Sequence, residues 1–301
     1  MNDLSITKHT VDVALKSGAS LIGFGPVSRF DGLPVDFRPA RFMPEAKTVV
    51  TIAITMARGS LEVIEEGSYW ISFNFDSSYY INYIEGPRSL RMIGRLLERH
   101  GYTALPLSNI VPGDVTYSMS DPGPAPDTGQ VPYTLWAAGC GLGEIGRSGC
   151  FLTPEFGPRQ RLCCLLTDAE LEPSPIFKGS ICDKCGECSI GCKAGALNGE
   201  ADMEFQIEGR HFSIPRVDRT KCELERMGRD PKHTPFVNGK ECYFELPPAF
   251  YKYLVKNARV ADFCGGRGCI TSCLDHLEKT GRIKCEFKRP LIQKERWTLE
   301  D

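Results

Sequence analysis

Cys182-Asp-Lys-Cys185-Gly-Glu-Cys188-Ser-Ile-Gly-Cys192 sets three cysteines at three-residue intervals and a fourth cysteine four residues later. Ferredoxin-type runs use this spacing to hold [4Fe–4S] clusters. The first three thiolates take three corners of one cubane, and the fourth cysteine reaches a different one. Zinc sites also use Cys-x2-Cys pairs, but they typically keep two such pairs well apart. Gly186, Gly191, Ala194, Gly195 and Ala196 are small enough to let backbone amides approach cluster sulfurs. Downstream, Cys264-x4-Cys269-x3-Cys273 can supply the ligands that the run lacks. The two-cluster pattern assigns Cys182, Cys185, Cys188 and Cys273 to one cubane. Cys192, Cys222, Cys264 and Cys269 then form the other set, with Cys242 as a competitor for a place in it. The proline that usually follows the last cysteine of such runs is absent; Lys193 and Leu274 stand there. Cys140, Cys150, Cys163, Cys164 and Cys285 read as buried thiols.

The chain has 301 residues and 14 cysteines; none precedes Cys140, and ten fall between Cys182 and Cys285. The expected division is therefore a conventional folded body, 1–175, and a cluster-binding module, 176–301. A hydrophobic fraction of 42% suits a protein with a real core. The net charge of −2 gives no sign of a surface built for nucleic acid or acidic lipid. No apolar run is long enough to span a bilayer, and the first twenty residues carry no signal-peptide pattern. A cytoplasmic protein is expected, in which cysteines serve as ligands and buried thiols rather than disulfides.

The pattern predicts a helix over 7–18 ending at Gly18, strands at 21–27 and 48–55, and an aromatic-rich stretch from Tyr69 to Tyr83. A helix over 87–100 carries Leu90, Ile93, Leu96 and Leu97 on one face and stops at Gly101. Strands follow at 102–107 and 161–167, separated by a long Pro/Gly/Asp/Ser loop at 111–132. Residues 203–214 alternate about Glu208-Gly209, which predicts a hairpin inserted into the cluster module. The charged tail from Lys284 is expected to wrap the surface. Together these point to an α/β or α+β body.

Ala138-Gly-Cys-Gly-Leu-Gly-Glu-Ile-Gly-Arg147 continues into Ser148-Gly-Cys-Phe-Leu-Thr-Pro-Glu-Phe-Gly-Pro-Arg-Gln-Arg-Leu162. It lacks the strand, G-x-G-x-x-G, helix and distal acidic residue of a dinucleotide site. Gly139, Gly141, Gly143, Gly146, Gly149 and Gly157 lie within nineteen residues, a density that suggests backbone lying against something large and flat. These two runs, with Leu-Thr-Asp-Ala-Glu-Leu-Glu-Pro before the cysteines, resemble the cobalamin-dependent reductases. That superfamily holds the reductive dehalogenases and the tRNA epoxyqueuosine reductases, and the Gly-Glu-x-Gly-Arg wording is closer to the first. The resemblance is sharp over about 125–195. It implies an α+β fold, with a nitroreductase-like α/β corrinoid-binding domain over 1–175 and a ferredoxin-like module with two [4Fe–4S] clusters over 176–301.

The resemblance further implies that Gly139, Gly141, Leu142, Gly143, Gly146, Arg147, Gly157, Pro158 and Arg161 lie against the cofactor. Asp127, in Asp-Thr-Gly-Gln-Val131, matches the acidic residue of the epoxyqueuosine reductases in wording and in offset to Gly141. It is the first candidate for general acid, since a carboxyl beside an apolar ring has a raised pKa; an Asx-turn is its alternative role. Dehalogenases use a tyrosine with a basic neighbour, which brings in Tyr133, with Tyr117 behind it, and Arg159. Arg147, Arg159 and Arg161 could equally be structural ion pairs. None of the five histidines sits in Asp-x-His-x-x-Gly, so cobalamin would be held base-off, which eases reduction to Co(I). Electrons from a ferredoxin or flavodoxin would pass through both clusters to cobalt. Halide or hydroxyl on a small organic molecule would be replaced using two electrons and a proton. The alternatives are a tRNA epoxyqueuosine reductase, disfavoured by the near-neutral charge; an iron–sulfur electron-transfer or corrinoid-reactivating protein; and a flavin enzyme on the same fold. Neither the twin-arginine leader of respiratory dehalogenases nor the helical-repeat extension of epoxyqueuosine reductases is seen, and the insertions at 199–218 and 225–260 match neither branch. Substrate, donor and oligomeric state are left open by the sequence.

Overall fold

The computed structural model describes residues 3–66, 68–69, 72–107, 131–218, 221–222 and 268–292. The chain runs α1 (Asp3–Lys16), β1 (Leu21–Pro26), β2 (Thr48–Thr55) and α2 (Arg58–Glu66). A π-helical segment follows (Phe73–Glu85), leading into α3 (Gly86–Arg99) and β3 (Ala104–Leu107). Then come α4 (Tyr133–Gly139), β4 (Glu144–Ile145), β5 (Phe151–Leu152) and β6 (Gln160–Thr167). The last elements are α5 (Glu187–Ile190), β7 (Leu197–Ile207), β8 (Arg210–Val217) and α6 (Cys269–Lys279).

A four-stranded antiparallel sheet in the order β1-β2-β6-β3 forms the centre. Its strand β2, Thr-Val-Val-Thr-Ile-Ala-Ile-Thr, is rich in β-branched residues that pack well on a pleated surface. Because side chains alternate across a strand, Val50, Ile52 and Ile54 enter one apolar layer, and Val49 and Ala53 enter the other. Both faces are covered, so β2 reads as a nearly continuous apolar run. On one face lie α1, α3 and the π-helical segment; Leu90, Ile93 and Leu97 of α3 are fully buried. Gly18 and Gly101 take φ of +116° and +86° and end α1 and α3, a backbone that side chains with a Cβ avoid. On the other face α4 buries Trp136 completely, and its indole N–H donates to Phe37 O at 2.9 Å.

The β7–β8 hairpin forms about Glu208-Gly209, both at positive φ (+46° and +78°), as a twist-matched two-residue turn requires. Its apolar face, however, belongs to the core of the body. Phe205, Ile207, Phe212 and Ile214 share a buried layer with Phe30, Leu33 and Trp136. Phe205 and Phe212 stack with ring centroids 5.2 Å apart. Leu274 and Leu277 of α6 likewise join the layer of α1 and α3. Residues after 176 thus pack into the same two apolar layers as those before it. The tail also penetrates more deeply than a surface wrap: Leu291 is 1% exposed, and Arg58 binds Glu278 through two nitrogens and donates to Arg289 O.

Candidate metal centre

Lys184 and Gly186 adopt positive φ (+62° and +90°), which coils the chain between Cys182 and Cys188. α6 carries Cys273 to the same place. Cys182, Cys185, Cys188 and Cys273 line one pocket, with Gly146 and Arg147 of the β4–β5 turn across from them. Two segments far apart in sequence therefore converge four sulfurs on one space. Burial pushes the Cys273 and Cys188 thiols above their ordinary range, and neighbouring thiols add to it: Cys150 first in each case. Burial also raises Cys185. Without metal these groups hold their protons; binding a metal must release them, so affinity rises with pH. Four soft thiolates fit an iron–sulfur cluster or zinc. Main-chain amides point at two of the run's sulfurs: Arg147 N–H at Cys182 Sγ (3.5 Å) and Ala196 N–H at Cys192 Sγ (3.4 Å).

The members of the expected second set that lie among the described residues are Cys192, Cys222 and Cys269. Gly191 abuts Gly268 so closely that a Cβ on either would strike its neighbour, which puts Cys192 beside the start of α6. Asp218 N–H donates to Ala196 O and Cys222 N–H to Asp218 O, tying the Cys222 segment to the end of the run. Cys264 and its competitor Cys242 lie outside the described residues.

Two features of this region are not legible in the sequence. Asp183 and His276 hydrogen-bond at 2.8 Å on the pocket rim, and with Cys185 they bring ligand atoms within 4.8 Å of one another. The hydrogen bond from His276 holds the Asp183 carboxyl below its ordinary range. Cys150, which reads in sequence as an inert buried thiol, is the second. It is half-buried, its thiol is lowered to about 7 by hydrogen bonding with Cys269 against the effect of burial, and its charge helps raise the Cys188 and Cys273 thiols. The remaining residues of that group divide. Cys140, Cys163 and Cys164 are fully buried, whereas Cys285 is half-buried and 3.5 Å from Arg159 Nη2.

The glycines of the glycine-rich run are needed for the chain's own close packing on the side where a Cβ would point. A Cβ on Gly139 would strike the Phe30 ring, on Gly141 the Pro175 carbonyl, on Gly143 the Leu152 carbonyl, and on Gly146 the Leu152 side chain. Gly157, at φ +58°, faces Leu277 of α6. Leu142 and Pro158 are buried.

Arg147 is exposed at the cysteine pocket. Arg161 Nε donates to Ser77 O at 3.0 Å, with its guanidinium over Phe73. Arg159 is buried beneath the tail; Nη1 donates to Met56 O, and Phe287 stacks 5.4 Å away. Burial lowers its guanidinium from the ordinary value. Tyr133 opens α4 half-buried, and burial, then Cys164 and Cys163, pushes its phenol far up. Asp127 and Tyr117 lie outside the described residues.

No family model matches the chain. A tetrachloroethene reductive dehalogenase of Desulfitobacterium hafniense is 35% identical over 142 residues, covering 45% of this chain and 22% of that protein. An epoxyqueuosine reductase of Listeria monocytogenes is 26% identical over 121 residues, covering 40% and 30%. The matches thus span less than a third of either curated relative. Among solved structures, a reductive dehalogenase that suggests a mechanism for B12-dependent dehalogenation superposes with a TM-score of 0.52 at 20% identity, over 91% of this chain and 37% of that one. An epoxyqueuosine reductase with a tRNA stem loop superposes with 0.51 at 15% identity, over 93% and 84%. The chain is thus similar in sequence over part of its length, and in fold over nine-tenths of it, to the reductive dehalogenases and epoxyqueuosine reductases.

Proposed function

We propose that this chain is an iron–sulfur oxidoreductase that reductively removes a leaving group, halide or hydroxyl in type, from a small organic molecule. The carrying observation is the convergence of Cys182, Cys185, Cys188 and Cys273 on one pocket. In this reading they hold one [4Fe–4S] cluster, and Cys192, Cys222 and Cys269, with Cys264 or Cys242, hold a second. The clusters would supply one-electron carriage from a ferredoxin or flavodoxin, and a base-off corrinoid, inferred from likeness alone, the reducing centre. A nitroreductase-like body over 1–175 and a ferredoxin-like module over 176–301 would divide these tasks. Proton supply falls to Asp127 or to Tyr133. The phenol of Tyr133 keeps its proton at neutral pH because burial disfavours the phenolate. Arg159 is kept as a candidate only through its motif.

One chemistry argues for each substrate class. The net charge of −2 favours a small molecule, since gripping a polyanion needs a basic face. A tRNA stem loop is bound by a relative of the same fold, so it belongs in the test. Protein purified without oxygen is analysed for iron, sulfide and cobalt, then supplied with reduced viologen and either halogenated organics or an epoxyqueuosine stem loop. The reading expects about eight irons per chain, retained corrinoid, and halide release. A protein with zinc and no iron would sink it, and turnover of the stem loop alone would move the chain to the other branch.

A further inference from the structure

Arg159 is 7% exposed, and its guanidinium lies against the rings of Phe156 and Phe287, 5.6 and 5.4 Å from their centroids. Nη1 donates to Met56 O, and Nη2 stands 3.5 Å from the Cys285 sulfur. Nε is buried and meets no acceptor among the described residues. Nε and Nη2 share one edge of a guanidinium. Arg58 shows what that edge can hold: its Nε and Nη2 grip the two oxygens of the Glu278 carboxylate at 3.0 and 2.7 Å. Arg159 turns the same edge to a thiol, one weak acceptor where two oxygens fit. A buried charge is costly unless it is paired and hydrogen-bonded.

Cys285 is half-buried between the exposed Lys284 and Glu286. The main chain pins it there: Lys284 N–H donates to Pro154 O at 2.8 Å and Cys285 N–H to Glu155 O at 3.1 Å. A small solute can thus reach the sulfur while the guanidinium stays covered. We propose that Cys285 is an oxidation site, at which peroxide converts the thiol to a sulfinate held by the Nε–Nη2 edge of Arg159. The sulfur attacks one oxygen of hydrogen peroxide. An S–O bond forms, the O–O bond breaks, and the thiol proton leaves with the other oxygen as water. A second peroxide oxidises the sulfenic acid in the same way, and the resulting sulfinic acid gives its proton to solvent. Each step takes two electrons from sulfur and reduces one peroxide. The sulfinate carries two oxygens and a full negative charge, as does the carboxylate that Arg58 holds. It gives both nitrogens of the edge an oxygen acceptor and pairs the buried charge.

Protein purified without oxygen is exposed briefly to hydrogen peroxide, digested and analysed by mass spectrometry. The Cys285 peptide should gain two oxygen atoms. Arg159→Lys keeps the charge but has no two-nitrogen edge, and there the gain should be about tenfold slower, the effect of one lost charge-assisted hydrogen bond. Each rate is divided by that of iodoacetamide alkylation at Cys285, which corrects for altered access to the sulfur. A second measurement needs no change at Arg159. Trypsin should cut after Lys284 and Lys288 more slowly in oxidised than in reduced wild-type protein, and peroxide should not slow those cuts in Cys285→Ser. A Cys285 that stays unoxidised, an equal corrected rate in Arg159→Lys, or cutting that oxidation does not slow would each overturn the proposal.

Discussion

Glu144 fixes the start of the cysteine run through Cys182. Its Oε1 accepts the main-chain N–H groups of Ile181 and Cys182 at 2.6 and 2.7 Å, and its Oε2 takes Arg210 Nη2 at 2.6 Å. One carboxylate from the β4–β5 hairpin thereby ties Cys182, the first cysteine of the run, to the β7–β8 hairpin. Glu144→Gln keeps the shape but must turn an NH2 group toward either a donor amide or the Arg210 guanidinium. A lost charge-assisted hydrogen bond with a donor left facing a donor costs about 2–3 kcal/mol. Urea unfolding of the metal-free protein should show that loss, and reconstituted iron should fall. An unchanged midpoint would mean that the contact contributes nothing.

The glycine-rich run gives a prediction with a built-in control. Gly143 has no room for a methyl group, because the Leu152 carbonyl occupies that space. Gly143→Ala must therefore force the β4–β5 hairpin apart and should destabilise the protein by several kcal/mol, about 3 or more by analogy with overpacked cores. Gly59, in the first turn of α2, has no positive φ, and a methyl group added there would meet nothing within 4 Å. Gly59→Ala should be neutral or stabilise by up to about 1 kcal/mol. If Gly143→Ala unfolds no earlier than wild type but loses corrinoid, the run lies against a ligand after all and the packing account is wrong.

The contrast between these glycines shows what a sequence makes visible. Density of glycine announces close approach, but not of what; only the fold reveals that Phe30, Pro175 and Leu152 fill the space. The central strands are legible because β2 and β6 are apolar on both faces, and the ends of α1 and α3 because Gly18 and Gly101 need positive φ. The Cys182–Cys192 spacing is legible because it is itself a local pattern in the chain. Helices α2, α4 and α6 escape the pattern: α4 is only 7 residues long, and the stripe of α6 is interrupted by cysteines.

The pocket makes Cys273 the cysteine whose loss should be most selective. It sits on α6, whose Leu274 and Leu277 hold it to the core independently of any metal. Cys273→Ser should leave the protein folded and remove one cubane, about four irons of eight. Cys285→Ser is the control, since Cys285 faces Arg159 rather than the pocket and should keep full iron. Iron analysis and the visible charge-transfer band measure both. Equal iron in the two variants would remove Cys273 from the ligand set.

Cys140 sets how the fold responds to alkali. Burial pushes its thiol up to about 12, although the Thr51 hydroxyl, hydrogen-bonded at 3.4 Å, partly offsets this. In the unfolded chain the same thiol ionises near its ordinary value, about 8.5. The folded state thus keeps a proton that the unfolded state releases. The stabilisation is fully present below about pH 8.5 and falls by about 1.4 kcal/mol for each pH unit above it, until the folded thiol ionises. Cys164, raised by the same burial, steepens the loss. Cys140→Ala removes one of the two contributions at the cost of a small cavity, about 1 kcal/mol. The variant should therefore be less stable than wild type at pH 7.5 and should match or exceed it by about pH 10. Metal-free protein, unfolded in urea under reducing conditions at both pH values, measures the crossing; the cluster thiols titrate alike in both proteins and cancel in the difference. Parallel stability curves from pH 7.5 to 10 would show that Cys140 does not hold its proton in the folded state.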